Sequence, residues 1–171
     1  MAEVVILRLV HVLGAVLWVG SFAFAAVFLM PVLSRLGPGA GPVMSGLRER
    51  GLLTFMPAVA LLTILSGLRL MWIGSGGFAS SYFATTWGAT YAASGGAAIV
   101  AFVLGMVLSR PNAARMAALS AQLGSATDEA TKAALSSQLA GVRRNASVLS
   151  WAIGGLLFAS AGGMAVARYL G

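Results

Sequence analysis

Six side chains in this sequence have the chemistry to hold a cofactor inside a membrane: Arg8, His11, Arg69, Met71, Met164 and Arg168. His11 is the only histidine, and there is no cysteine, which excludes disulfides, thiolate metal sites and cysteine nucleophiles. An imidazole, thioethers and guanidinium groups together suit a metal tetrapyrrole. His11 would ligate haem iron or the magnesium of a chlorin, with Met71 or Met164 as a second haem ligand. The arginines would pair with propionates through charge-assisted bonds. Gly14, three residues after His11, would leave room for a flat ring, and Trp18 lies two turns away on the same helical face. The same soft and imidazole ligands suit copper(I), although the eight methionines are scattered along the chain without a close-spaced pair. The plainer alternatives are a histidine that hydrogen-bonds a neighbouring helix and arginines that snorkel to the headgroups.

For these residues to meet, the apolar runs must bring them to one depth. Of the 171 residues, 59% are hydrophobic and 9% charged, where a soluble domain would carry about a quarter charged residues. Hydropathy predicts four membrane spans, at about residues 4–30, 52–73, 87–108 and 148–167. The first run is too long for the core of a signal peptide. Pro31 and the GPGAGP stretch at residues 37–42 are expected to stop the first span. No Asp or Glu lies within a span, which argues against an ion-coupled transporter. No nucleophile–base pair or phosphate loop is present either, so the expectation is a protein that is not an enzyme.

Span three carries small residues four apart, Ala89, Ala93, Ala97, Ala101 and Gly105, and span four carries Gly155, Ala159, Gly163 and Ala167. Small side chains at this spacing let helix backbones approach, so spans three and four should pair through them, or one ladder should face a neighbouring subunit. The polar segment at about residues 110–146 is not a loose loop. Met116, Leu119 and Leu123 recur at helical spacing, as do Leu135, Leu139 and Val142. Ser125 followed by Asp128 reads as a helix cap and restart. The expected fold is therefore all-α: an integral membrane four-helix bundle with a cytoplasmic helical hairpin between spans three and four. The hairpin would either pack only on itself or dock another subunit.

The net charge of +7 would suggest nucleic acid in a soluble protein. Here eight of the eleven basic residues (Arg35, Arg48, Arg50, Arg110, Arg115, Lys132, Arg143 and Arg144) fall in the two polar segments on one side of the spans. The positive-inside rule makes that side cytoplasmic and both termini external, in a bacterial inner membrane, with no nucleic-acid partner.

Span one, LVHVLGAVLWVGSFAFAAVFLMPVL, resembles the opening of small bacterial membrane proteins related to the copper-resistance D family and its four-span relatives. The matching features are His11, then Trp18 with Gly20, and Pro31 at the end of the span; span two's LTILSGLRLMW and the polar helical segment before span four also fit. The resemblance implies a copper-transport or haem-associated membrane protein. A related haem-binding oxidase family pairs its first-span histidine with a membrane lysine. The only lysine here, Lys132, lies in the hairpin, which departs from that pattern.

Three functions are expected, in this order. The first is a non-enzymatic accessory subunit that packs among other membrane-protein subunits of a larger complex in the lipid bilayer, plausibly respiratory or photosynthetic. The second is a b-type haem electron-transfer protein using His11, and the third a copper-handling membrane protein.

Overall fold

The computed structural model describes residues 1–170, apart from the Pro38 side chain. The chain forms α1 (Ala2–Leu36), α2 (Ala40–Glu49), α3 (Leu52–Gly74), the single turn α4 (Ser80–Phe83), α5 (Thr86–Ser125) and α6 (Glu129–Tyr169), with no strand among the described residues. Helices α1, α3, α5 and α6 are long and apolar enough to cross a membrane. The bundle is all-α, and its outer faces carry large apolar side chains such as Val16, Phe28, Leu62 and Trp151, as suits lipid contact.

Pro31 does not end the first helix, which continues to Leu36. A proline ring collides with the carbonyl four residues back, and a widened turn relieves the collision. That turn is Ala25–Leu29, where the Met30 amide donates to the Ala25 carbonyl, five residues back. Pro111 in α5 has the same solution at the same offset: the turn at Gly105–Ser109 is widened, and the Arg110 amide donates to Gly105. The stop comes instead at Gly37, whose φ of 54° no helix can continue.

The bundle is built as two close pairs, α1 with α3 and α5 with α6, which touch each other less. In lipid, helices gain little from apolar burial as such, so close packing decides who pairs. Gly14 supplies it in the first pair, where a Cβ would lie 2.3 Å from Thr63 Oγ1. The glycine expected to make room for a ring is thus occupied by the neighbouring helix. In the second pair a Cβ on Gly163 would lie 2.2 Å from Ser94 Oγ.

The small-residue ladders serve this second interface only in part. Ala101 and Ala167 are buried, and Ala97, Gly105 and Gly163 are partly so, but Ala89, Ala93, Gly155 and Ala159 are exposed. A step of four residues overshoots a 3.6-residue turn by about 40°, so a five-rung ladder winds off its own face. The residues that stay inside α6, Ile153, Leu157 and Ser160, follow three- and four-residue steps instead. The two pairs are joined by Trp18, Val19 and Phe22 of α1 packing on Ala101, Ile153 and Leu157.

Helices α5 and α6 have 40 and 41 residues. At about 1.5 Å per residue each is roughly 60 Å long, about twice a hydrocarbon core. The excess is the hairpin. Its own small core is Leu119, Leu139 and Val142, flanked by Met116, Leu123 and Leu135. These are the residues whose spacing predicted the two arms.

The cap of the returning arm is Asp128, not Ser125. Asp128 has extended backbone angles, and its carboxylate accepts from the Thr131 amide at 2.8 Å. Ser125 still belongs to α5 and donates to the Gln122 carbonyl. An ionised carboxylate at the positive end of a helix outcompetes a neutral hydroxyl for the capping position.

The Thr131 amide, followed by the Thr131 hydroxyl, holds the Asp128 carboxyl below the usual carboxylate range. Its folded value lies below its unfolded one, so its support is present above the ordinary range and is lost as pH falls through the depressed value. Asp128→Ala is expected to lower the amide-exchange protection factors of Ala130 and Thr131 at neutral pH, and acid should lower them in the native chain, each measured against the intrinsic rate at that pH.

Candidate functional site

At the end of the bundle where the chain begins and where α6 finishes, a cavity of about 1150 Å³ lies between the two helix pairs. Ligand sites for drug-sized molecules run from about 300 to 1,000 Å³, so this one has room for a large flat molecule. All four long helices line it, from Val4 and Tyr169 at the mouth to Trp18 and Leu157 at the floor.

Five of the six residues singled out in the sequence line this cavity: Arg8, His11, Met71, Met164 and Arg168. The sixth, Arg69, does not. It turns outward to Glu3, its Nε and Nη2 both 2.8 Å from the Oε1 oxygen, in an ion pair whose partners are about half exposed. A pair so exposed contributes little stability, about 0–1 kcal/mol. Its consequence is electrostatic. The other acids, Glu49, Asp128 and Glu129, lie on α2 and at the hairpin. Among the described residues Glu3 is the side-chain carboxylate of this end, and Arg69 has taken it. Arg8 and Arg168 line the cavity and, among the described residues, pair with no carboxylate side chain. Arg168 instead lies over the Tyr169 ring, 4.6 Å from its centroid, and donates to the Tyr169 hydroxyl.

His11 is held in one tautomer. Its Nδ1 lies 2.7 Å from the Thr63 carbonyl oxygen of α3. A carbonyl can only accept, so Nδ1 carries the proton, and in the neutral ring Nε2 is left with the lone pair. The same carbonyl also accepts from the Ser66 hydroxyl at 3.0 Å, while the Thr63 hydroxyl turns back to Val59 at 2.8 Å. The ring packs against Gly67, where a Cβ would approach Cε1 to 2.6 Å and Nδ1 to 2.9 Å. Carbonyl and glycine together fix both the tautomer and the orientation of the imidazole.

The two methionines converge from different pairs. A Cβ on Gly95 of α5 would lie 3.6 Å from the Met71 methyl and 4.0 Å from that of Met164. Trp18, at the floor, meets Phe102 edge-on at 6.3 Å. At the mouth stand Tyr82, Trp87 and Tyr91. Trp87 packs edge-on against both tyrosines, at 4.6 and 6.4 Å. Burial, with the neighbouring Tyr91 adding to it, raises the Tyr82 phenol above its ordinary value and keeps it neutral. Among the described residues no three His, Cys, Asp or Glu side chains gather to hold a bare metal ion.

Thr63, Gly67, Gly95 and Ser160 were not anticipated from the sequence. Two of them carried a usable signal. Gly67 and Met71 are four apart, as are Ser160 and Met164, so each shares a helical face with a residue already of interest, while nothing in the sequence pointed to Gly95. Thr63 contributes a backbone carbonyl, for which no residue type is a signal.

No family model matches the chain, and no curated protein or solved structure matches it significantly.

Proposed function

We propose that this four-span membrane protein binds a metal tetrapyrrole, a b-type haem or a chlorin, in the cavity between its helix pairs, with His11 as the axial ligand. The carrying observation is the Nδ1–Thr63 hydrogen bond. It leaves His11 with an electron pair at Nε2 and no proton to donate there. A quinone or other carbonyl ligand would ask this position for a donor; a Lewis-acidic metal asks for a lone pair. Metal-bound histidines commonly have their second nitrogen fixed by a carbonyl in this way.

The remaining residues fit the group. Arg8 and Arg168, which line the cavity and among the described residues pair with no carboxylate side chain, suit a pair of propionates. Met71 or Met164 suits a second axial position, and Trp18 and the apolar walls exclude water from the ring. When bound, such a group supplies one-electron or light-absorbing chemistry; the chain holds, orients and dries it.

Protein purified gently from its own membranes is expected to show a tetrapyrrole band in stoichiometric amount that is absent in His11→Ala. A colourless native protein, or a band that survives in His11→Ala, would sink the proposal. The convergent methionines also favour the copper(I) reading, which predicts stoichiometric copper and no Soret band, with loss of the metal in Met71→Leu combined with Met164→Leu.

A place among other membrane subunits is compatible with either cofactor. It is supported by the exposed small residues Ala89, Ala93, Gly155 and Ala159, which leave a surface where another helix can approach. The basic residues of the hairpin side support an orientation with both termini outside the cytoplasm, so the cavity would open to the outer face of the membrane. A reporter fused after Gly171 should be active on the external side; cytoplasmic activity would reverse this orientation.

A further inference from the structure

Hydroxyl groups inside a membrane bundle have few partners, and most here satisfy themselves within their own helix. Thr63 donates to Val59 at 2.8 Å, Ser66 to Leu62 at 2.7 Å and Thr90 to Thr86 at 2.8 Å, each a carbonyl four residues back. Ser160 is different. It is 6% exposed, it lines the cavity, and among the described residues its hydroxyl makes no hydrogen bond. No fully enclosed side-chain oxygen or nitrogen of the described chain lacks a partner, so the little surface Ser160 keeps includes its oxygen, and that surface is cavity wall. It stands on α6, one turn from Met164, in the helix pair that faces His11. Arg168 lies eight residues further along the same helix, so Ser160 is about 12 Å deeper than the cationic mouth.

We infer that Ser160 donates a hydrogen bond to an oxygen on the deep edge of the ligand, so that the cavity selects a tetrapyrrole bearing a carbonyl-type substituent opposite its propionates. This rests on the tetrapyrrole reading and deepens it. With propionates held by Arg8 and Arg168, the opposite edge of such a macrocycle would lie toward Ser160. In a mostly apolar wall a buried donor discriminates between ligands, because one without an acceptor leaves it unpaired.

The probes are iron protoporphyrin, whose edge opposite the propionates carries vinyl groups, and its analogue with acetyl groups in their place. Each is titrated into the apo-protein in lipid nanodiscs and followed by its Soret band. The native chain is expected to bind the diacetyl compound about tenfold more tightly than the divinyl one, and Ser160→Ala to bring the two together. The comparison is a ratio within each variant, and divinyl binding, which does not use the hydroxyl, reports that Ser160→Ala is folded. A preference for acetyl that persists in Ser160→Ala, or no preference in the native chain, overturns the role of Ser160 and leaves the tetrapyrrole reading standing. Failure of both compounds to bind the native chain through His11 overturns the tetrapyrrole reading, and this inference with it.

Discussion

On the tetrapyrrole proposal, replacing Gly67 with alanine should cost the protein that ligand, although residue 67 would not touch a metal bound at His11. The added methyl would lie 2.6 Å from His11 Cε1 and 2.9 Å from Nδ1, far inside contact distance. An imidazole is a rigid ring, and its Nδ1 is already tied to the Thr63 carbonyl at 2.7 Å. It cannot give way by a few tenths of an ångström without leaving that bond. Two consequences follow: the tautomer is no longer fixed, and Nε2 is no longer aimed by its helix neighbours. Loss of such an orienting partner lowers metal-site affinity by roughly 10–100-fold. The helix itself should tolerate the change, since alanine is the better helix former by about 1 kcal/mol. Gly20→Ala, in α1 away from the cavity lining and with nothing within 4 Å of its Cβ, is the control and should bind normally. The measurement is Soret-monitored titration of both variants beside His11→Ala. Native affinity in Gly67→Ala would mean that His11 is not the ligand.

The convergence of Arg8, His11, Met71, Met164 and Arg168 was legible because a spanning helix is a ruler. Counting residues from each span end gives depth at about 1.5 Å per residue, and the alternation of directions decides which ends coincide. The hairpin core was legible for a related reason: Met116, Leu119, Leu123, Leu135, Leu139 and Val142 are apolar residues in a polar stretch, so their periodicity stands out. Within the spans nearly every residue is apolar, and there periodicity carries little. The eye falls on glycines and alanines at steps of four, yet only some rungs go inside: Ala101, Ala167 and Gly163 against Ser94, while Ala89, Ala93, Gly155 and Ala159 stay exposed. Arg69 illustrates a different limit. Its depth was right for the cavity, but Glu3, 66 residues away in sequence, captures it, and nothing local to Arg69 announces that. The turn at Gly37 and the widened turns before Pro31 and Pro111 show a third. Proline predicts a disturbance of the helix, but whether the chain stops or widens depends on what the following residues can do.

The largest effect on stability is expected from Gly88→Ala, at the start of α5. The segment between α3 and α5 turns through Gly76, Gly77 and Phe78, all at positive φ, and then through α4. It is fastened to α5 by a knot of hydrogen bonds. The Thr85 hydroxyl accepts from the Gly88 amide at 3.1 Å and donates to the Tyr82 carbonyl at 2.7 Å, while the Thr85 amide also donates to Tyr82, at 3.2 Å. Gly88 is buried inside this knot. A Cβ there would lie 2.0 Å from the Tyr82 carbonyl oxygen, 2.9 Å from its carbon and 2.8 Å from Thr85 Oγ1. Two of those three atoms are backbone, which no rotamer change can move aside. The turn must open, the cap of α5 is lost, and Tyr82 and Trp87 leave the cavity mouth they line. Losing the cap alone, as in Thr85→Ala, should cost about 1 kcal/mol. Adding the backbone collision should raise the cost of Gly88→Ala to roughly 2–4 kcal/mol. Because both changes undo one knot, the double variant should be little worse than Gly88→Ala, well short of the sum. Denaturant titration in mixed micelles, followed by tryptophan fluorescence, measures all three. If Gly88→Ala proves as stable as the native chain, this connection does not fasten α5, and the cavity mouth owes its shape to the helices alone.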